Sequence, residues 1–346
     1  MRLSSLALEQ SESSSCPQGQ LFSPWSDPAD PELLFPLPPY EKLLAHLGWP
    51  DHQAWLAHWQ SRGGSALKRT FWHPATRRDW IWGLGLPLLT LVEHCLEARS
   101  FSLLGISGLP GSGKTSLGKW LEAAACELDL PLSVVSLDDF YWPASELDKA
   151  MRGNPWAVPR ALPGSHDLAL ISKSLDDWLL DGTFYAPQFD KSKRAGRGDR
   201  QGWRRTKPRV LVLEGWFLGC QPSRDTCFTN SPDEHLRPPL TQQEIDYRPF
   251  VKEALEAYLP LWKRLDQLWQ LRPLDFNSTC LWKAEQEASM QLEAGVSLAS
   301  KELDGFVRMI LAAIPHSCFQ AIAADVVADL TPSRQLKRIG LRSLAI

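Results

Sequence analysis

Eight residues, Gly108-Leu-Pro-Gly-Ser-Gly-Lys-Thr115, constrain this chain more than any other feature in it. They match G-x-x-x-x-G-K-[ST], a loop whose glycines let consecutive backbone N–H groups close around phosphate oxygens. Such a loop works between a buried strand and the N-terminus of a helix, whose dipole adds to the attraction for anions. The flanks meet that demand. Leu103, Leu104 and Ile106 read as a buried strand, and Leu117 to Leu128 is apolar at helical spacing. Gly108, Pro110, Gly111, Ser112, Gly113 and Ser116 are expected to line a nucleotide's phosphates. Lys114 is expected to reach the β- and γ-phosphates of ATP, and Thr115 to place its hydroxyl on Mg²⁺.

From Ser100 onward, apolar strands alternate with helices, the signature of a parallel sheet with crossover helices. Strands are expected at 132–137, 210–213, 267–271 and 322–330, and helices at 167–180, 279–292 and 299–314. The expected fold class is α/β: a three-layer P-loop NTPase with a mostly parallel sheet and an N-terminal helical extension. Two segments follow, an extension over 1–98 and a second over 99–346 that carries the phosphate loop. The extension reads as irregular over 1–38, then helical over 40–47, 51–59 and 78–97, with Pro87 kinking or splitting the last helix. Its tryptophans (Trp49, Trp55, Trp59, Trp72, Trp80, Trp82) read as packing anchors, because each buries a large area.

Composition narrows the function classes. With 44% hydrophobic residues in 346, a sizeable core is available. A net charge of −3 argues against a nucleic-acid partner. No run of about eighteen apolar residues exists to span a membrane. The N-terminus lacks the basic start and apolar core of a secretory signal. Seven scattered cysteines without a CxxC pair suit reduced thiols. The expectation is a cytoplasmic protein with a small-molecule substrate, its oligomeric state left open.

In open α/β sheets ligands bind beyond the carboxyl ends of the strands. The residues gathered there are Lys114, Thr115, Asp138, Asp139 and Glu214, a set that suits Mg-ATP and a hydroxyl acceptor. Glu214 is placed to hold Mg²⁺ through water, and Asp138 to take the proton of an attacking alcohol. Either aspartate could instead cap the helix that follows. Two loops add to the set. The Gly-punctuated basic run over 190–209, including Lys191, Arg194, Arg197 and Arg200, reads as a lid that brings arginines onto transferring phosphates. Pro163-Gly-Ser-His-Asp167 precedes a helix that Asp167 could simply cap, yet it lies where an acceptor would sit.

Several motifs, in order, resemble D-glycerate kinases of the plant and cyanobacterial type. They are Leu137-Asp-Asp-Phe-Tyr141, Pro163-Gly-Ser-His-Asp167, Phe189-Asp-Lys-Ser192, Gly196-Arg-Gly-Asp-Arg200, Leu213-Glu-Gly-Trp216, Trp282-Lys-Ala-Glu-Gln-Glu287 and Gly295-Val-Ser-Leu298. That family belongs to the P-loop kinases that also include uridine kinase, pantothenate kinase and phosphoribulokinase. The resemblance covers about residues 100–335 and implies a kinase domain over 99–346 that transfers the γ-phosphate of ATP to a hydroxyl of D-glycerate, giving 3-phosphoglycerate. It implies Asp138 as base, Glu214 as the Mg-associated acid, and Arg194, Arg197 and Arg200 in the lid. Asp139, Tyr141, Arg160, His166, Asp167 and Lys191 are the expected acceptor-binding set. The family runs an Arg-Gly-Asn stretch almost directly into Gly-Thr/Ser-His-Asp; here Pro155 to Pro163 separate Arg152-Gly-Asn154 from Gly164, so the family's arginine is Arg152 or Arg160. Alternatives are another hydroxyl acceptor (uridine, pantothenate or a sugar phosphate) and a nucleotide-binding regulatory protein without turnover.

Overall fold

Apolar runs of five to seven residues, too short for helices, build the centre of the protein. The computed structural model describes residues 36–67, 78–98, 100–222, 236–294 and 300–342. Expectations for 1–35, for Trp72 and for Cys16 and Cys227 lie outside the described residues.

Strand β1 (Ser102–Gly108) is buried along its whole length and pairs in parallel with two neighbours. Helix α4 (Lys114–Glu127) leaves its C-terminal end; the described helices before it are given below. Strand β2 is Leu132–Ser136, β5 is Val210–Gly215, β6 is Gln267–Pro273, β7 is Val326–Leu330 and β8 is Leu336–Leu341. The sheet order is β2-β5-β1-β6-β7-β8, parallel throughout except for β8, which runs antiparallel to β7. Glu214 lies opposite both Ile106 and Ser136 in the register, so the ends of β1, β2 and β5 come out level. That alignment brings the strand-end side chains to one place. This is a P-loop NTPase α/β fold.

The N-terminal helices α1 (Leu37–His46) and α2 (His52–Ser61), with α3 (Leu86–Glu97), share one apolar cluster with the sheet. Residues 78–97 are helical as expected, but the irregularity is a π-helical stretch at Ile81–Gly85 rather than a kink at Pro87. Pro87 falls in the first turn of α3, where its missing N–H is tolerated. Trp55, Trp59 and Trp82 are buried, as packing anchors should be.

The segment over 190–209 is mostly part of an antiparallel hairpin, β3 (Phe184–Asp190) and β4 (Asp199–Thr206), outside the main sheet. Its basic residues form the turn and the second strand. Helix α5 is Ala144–Ala150, α6 is Leu168–Asp181 and α7 is Gln242–Glu256. Among the described residues, no helix is long and apolar enough to cross a membrane. The described cysteines are free thiols.

Thr90 is the polar centre of the N-terminal helices. Its hydroxyl donates to the Leu86 carbonyl (2.8 Å) and accepts from the indole N–H groups of Trp55 (2.8 Å) and Trp59 (2.9 Å). Thr90→Val strands two buried donors, and about 2–4 kcal/mol of stability is lost in urea unfolding. Thr90→Ser, which keeps the acceptor, costs less.

Candidate active site

The phosphate loop owes its shape to left-handed backbone at Gly111 (φ 76°) and Gly113 (φ 100°). Its outer face is packed by side chains distant in sequence. A Cβ on Gly113 would lie 2.7 Å from the Trp80 ring, and one on Gly111 would lie 2.6 Å from the Trp282 Cβ. Arg334 ties these braces together. Its Nε donates to the Gly111 carbonyl (2.7 Å), and its own carbonyl accepts from the Trp80 indole (2.6 Å). The guanidinium lies over the Trp282 ring and pairs with Glu285 at 2.5 Å. Thr279 donates to the Pro110 carbonyl at 3.3 Å.

Inside the loop, Lys114 is buried and donates to the Leu109 carbonyl at 3.1 Å; burial lowers its pKa. The Thr115 hydroxyl donates to Glu214 Oε1 at 2.8 Å, with Glu214 only 4% exposed. The Ser112 hydroxyl is buried without a hydrogen-bond partner. Ser116 is exposed beside Thr115 at the start of α4.

Beyond β2, a 3-10 turn over Leu137–Phe140 separates the two aspartates. Asp139 turns back and accepts from the Ser136 N–H at 3.3 Å, closing a capping box. Burial and the charge of Asp138 push its carboxyl up to about 6. Asp138 points the other way. Its Oδ2 accepts from the Lys191 ammonium (2.7 Å) and its Oδ1 from the Tyr141 hydroxyl (2.8 Å). His166 stacks on Tyr141 with ring centres 4.5 Å apart, and its Nε2 is 3.9 Å from Asp138 Oδ1. The Tyr258 hydroxyl accepts from the Gly164 N–H (3.0 Å) and lies 2.8 Å from His166 Nδ1, so with the tyrosine as donor in that pair the imidazole proton is on Nε2, on the Asp138 side. Burial opposes ionisation of Asp138, yet Lys191 and His166 hold its carboxyl well below the usual range. Burial also pushes the His166 imidazole down.

The remaining candidates divide. Arg160 is 5% exposed, donates to the Gly196 carbonyl and lies 5.4 Å from the centre of the Phe306 ring. Asp167 caps α6 through the Leu170 N–H (3.0 Å) and pairs with Arg200 at 3.2 Å. Arg194 and Arg197 both pair with Asp148 of α5, Arg197 at 2.8 Å. Lys114, Thr115, Glu214, Asp138, Tyr141, His166 and Lys191 thus form the centre, and Arg194 and Arg197 sit on its rim. Sequence reading passed over Arg334, Tyr258 and Asp148, and gave Trp80 and Trp282 no place at the phosphate loop. Their roles come from contacts between residues far apart in the chain, up to 254 residues, for which no local pattern exists.

A phosphate-binding loop, a strand-end acid beside its threonine, and an ionised aspartate across the strand ends define a P-loop kinase, an ATP-dependent phosphotransferase with an alcohol group as acceptor. No protein-family model matches the chain. Its relatives include an uncharacterised kinase of Schizosaccharomyces pombe, 29% identical over 222 residues that make up 61% of this chain and 78% of that one. The chloroplastic D-glycerate 3-kinase of Arabidopsis thaliana is 28% identical over 224 residues, 61% of this chain and 46% of that one. In fold, the chain is similar to a D-glycerate 3-kinase from Cryptococcus neoformans, with a TM-score of 0.61 and 20% identity, over 86% of this chain and 98% of the other.

Two outcomes follow from the geometry. Gly113→Ala adds left-handed strain and presses a methyl group into Trp80, so nucleotide affinity falls by about tenfold or more in calorimetry. The second concerns acid. Because the folded pKa of Asp138 is depressed, its contribution to stability is complete above about pH 4 and is lost as pH falls through the folded value. Lys191→Met is therefore less stable than the parent at pH 7. In urea melts at decreasing pH the gap closes as Asp138 takes up its proton.

Proposed function

We propose that this protein transfers the γ-phosphoryl group of ATP to a hydroxyl of D-glycerate, giving 3-phosphoglycerate. The observation that carries the reading is Asp138: a carboxylate kept ionised and aimed by Lys191, Tyr141 and His166 at the strand ends beside the phosphate loop. Each of its oxygens has one protein donor, which leaves lone-pair capacity for a substrate hydroxyl. Its low proton affinity suits phosphoryl transfer, where the loose transition state asks the acid to orient the alcohol and receive its proton late. Two relatives bear the name D-glycerate 3-kinase, which is why glycerate leads among acceptors.

The other roles follow from position. Gly108 to Ser116 cradle the phosphates, with the partnerless Ser112 hydroxyl fitting an incoming oxygen. Lys114 neutralises charge on the β- and γ-phosphates. Thr115 and Glu214, two hard oxygen donors 2.8 Å apart, would hold Mg²⁺, which supplies further neutralisation of phosphate charge when bound. Arg160 is a cation for the glycerate carboxylate, Lys191 borders the acceptor while holding Asp138, and His166 and Tyr141 shape the acceptor pocket. Asp139 and Asp167 support that pocket through their caps. Arg194 and Arg197, on the hairpin turn, serve as the lid's phosphate ligands. Residues up to 98 act as an extension that braces the loop through Trp80. A cytoplasmic location is the reading that the free thiols of the described cysteines support.

The test is ADP release across a panel of acceptors. D-glycerate should stimulate it, Lys114→Ala should abolish it, and Asp138→Asn should lower turnover by about a hundredfold or more. Phosphorylation of uridine, pantothenate or ribulose 5-phosphate, with none of glycerate, sinks the acceptor and leaves the kinase class standing. ATP binding without any acceptor-dependent ADP release favours the regulatory alternative.

A further inference from the structure

Helix α9 (Ser278–Ala294), which follows β6 and the short helical turn α8 (Leu259–Trp262), touches the phosphate loop near its start and carries Lys283 just beyond. Lys283 is 9% exposed and donates to Glu287 one turn on, at 2.5 Å, with Glu287 4% exposed. Its ammonium lies 5.5 Å from the centre of the Phe306 ring, on helix α10 (Ser300–Ala312). The Arg160 guanidinium lies 5.4 Å from the centre of that same ring. Two buried cations from separate segments therefore share one aromatic neighbour.

That arrangement is costly without an anion. Buried cations are stable when paired, and like charges brought together repel. Lys283 has Glu287. Arg160, among the described residues, has no carboxylate within ion-pair distance; its partner is the Gly196 carbonyl, and a guanidinium carries five donors. Lys191, the third cation near the group, is committed to Asp138. The geometry points to an anion pocket on the Phe306 ring, formed by Arg160 and Lys283, that takes the carboxylate of the alcohol acceptor. This rests on the phosphotransferase reading above and adds to it a specificity determinant, Lys283. Burial lowers the pKa of both cations, and nearby carboxylates, Glu287 for both and Asp138 and Glu302 for Arg160, oppose that fall.

The placement has a geometric consequence. Trp282 packs against Gly111 and Thr279 donates to Pro110, so one turn of α9 fixes the phosphate loop while the next presents Lys283. An acceptor held by its carboxylate at Lys283 is thus registered against the phosphates by a single rigid helix, which is how orientation lowers a transfer barrier.

A simple Lys283→Met change leaves Glu287 buried and short of a cation, and misfolding would obscure its meaning. The informative variant is Lys283→Met with Glu287→Met, which removes both charges and keeps volume. Steady-state kinetics with D-glycerate, and with uncharged glycerol, should show the glycerate KM raised about tenfold or more, the loss of one charge-assisted hydrogen bond. The KM for ATP and the turnover of glycerol should stay near the parent values, and Lys283→Arg should restore most of the glycerate affinity. An unchanged glycerate KM in the double variant overturns the pocket and makes Lys283 a structural partner of Glu287. If a different carboxylate-bearing alcohol proves to be the acceptor, the glycerate reading fails while the same KM comparison on that alcohol tests the pocket. An acceptor without an anionic group overturns the pocket and leaves the phosphotransferase intact.

Discussion

Everything in this structure is arranged around two left-handed glycines. Gly111 and Gly113 turn successive N–H groups inward, and the same turn leaves their Cα faces bare on the outside. Bare backbone at a ligand site must be held from behind or it loses its shape. Here the holding is done by large side chains: Trp80 against Gly113, Trp282 against Gly111, and Arg334 on the Gly111 carbonyl. These three come from the N-terminal helices, the helix after β6 and the β7–β8 turn. The loop is short and local; its support draws on the whole chain.

The second constraint is electrostatic. Burial of Asp138 favours a neutral acid, and Lys191 together with His166 outweighs it. Lys191 reaches it from the hairpin turn, so the ionisation state of the residue proposed as base depends on a segment outside the main sheet. His166 adds its imidazole beside the carboxylate, with Tyr258 on the other ring nitrogen. Glu214 and Lys114 repeat the pattern in miniature: the acid tempers the fall in the lysine's pKa that burial causes.

How far the sequence could be read follows from the range of the interactions. The phosphate loop and its helix, the strands at 132–137, 210–213 and 267–271 and the helices at 167–180, 279–292 and 299–314 were legible because each is coded by adjacent residues: a glycine pattern, an apolar run, a period of 3.6. Asp138 and Glu214 were legible as well, since strand ends in a parallel sheet converge. The hairpin was not. Strand β4, Asp-Arg-Gln-Gly-Trp-Arg-Arg-Thr, alternates without an apolar face, so it reads as a basic loop. Helix α7 was hidden by its polar composition and by Pro249 in its interior, and is recognisable mainly from the Thr241–Glu244 capping box. Trp80 could be read as a packing anchor, but not as the anchor of Gly113, because burial propensity does not say against what.

The hairpin also shows why a basic segment in such a protein is more than a charged flap. Three of its residues are bound to three parts of the site. Lys191 holds Asp138, the Gly196 carbonyl receives Arg160, and Arg200 reaches both the Tyr141 carbonyl (2.9 Å) and Asp167. Arg194 and Arg197 meanwhile hold Asp148, away from that centre. The turn is therefore divided between residues that fix the aspartate and its surroundings and two arginines with a carboxylate of their own on the rim. For those arginines to meet a phosphate they must give up Asp148, a half-exposed pairing of the kind worth less than about 1 kcal/mol per contact. Of the inner contacts, Arg160 on the Gly196 carbonyl and Arg200 on Asp167 are the better buried. In the proposed lid, the outer partners of Arg194 and Arg197 are separate from the contact by which Lys191 aims Asp138.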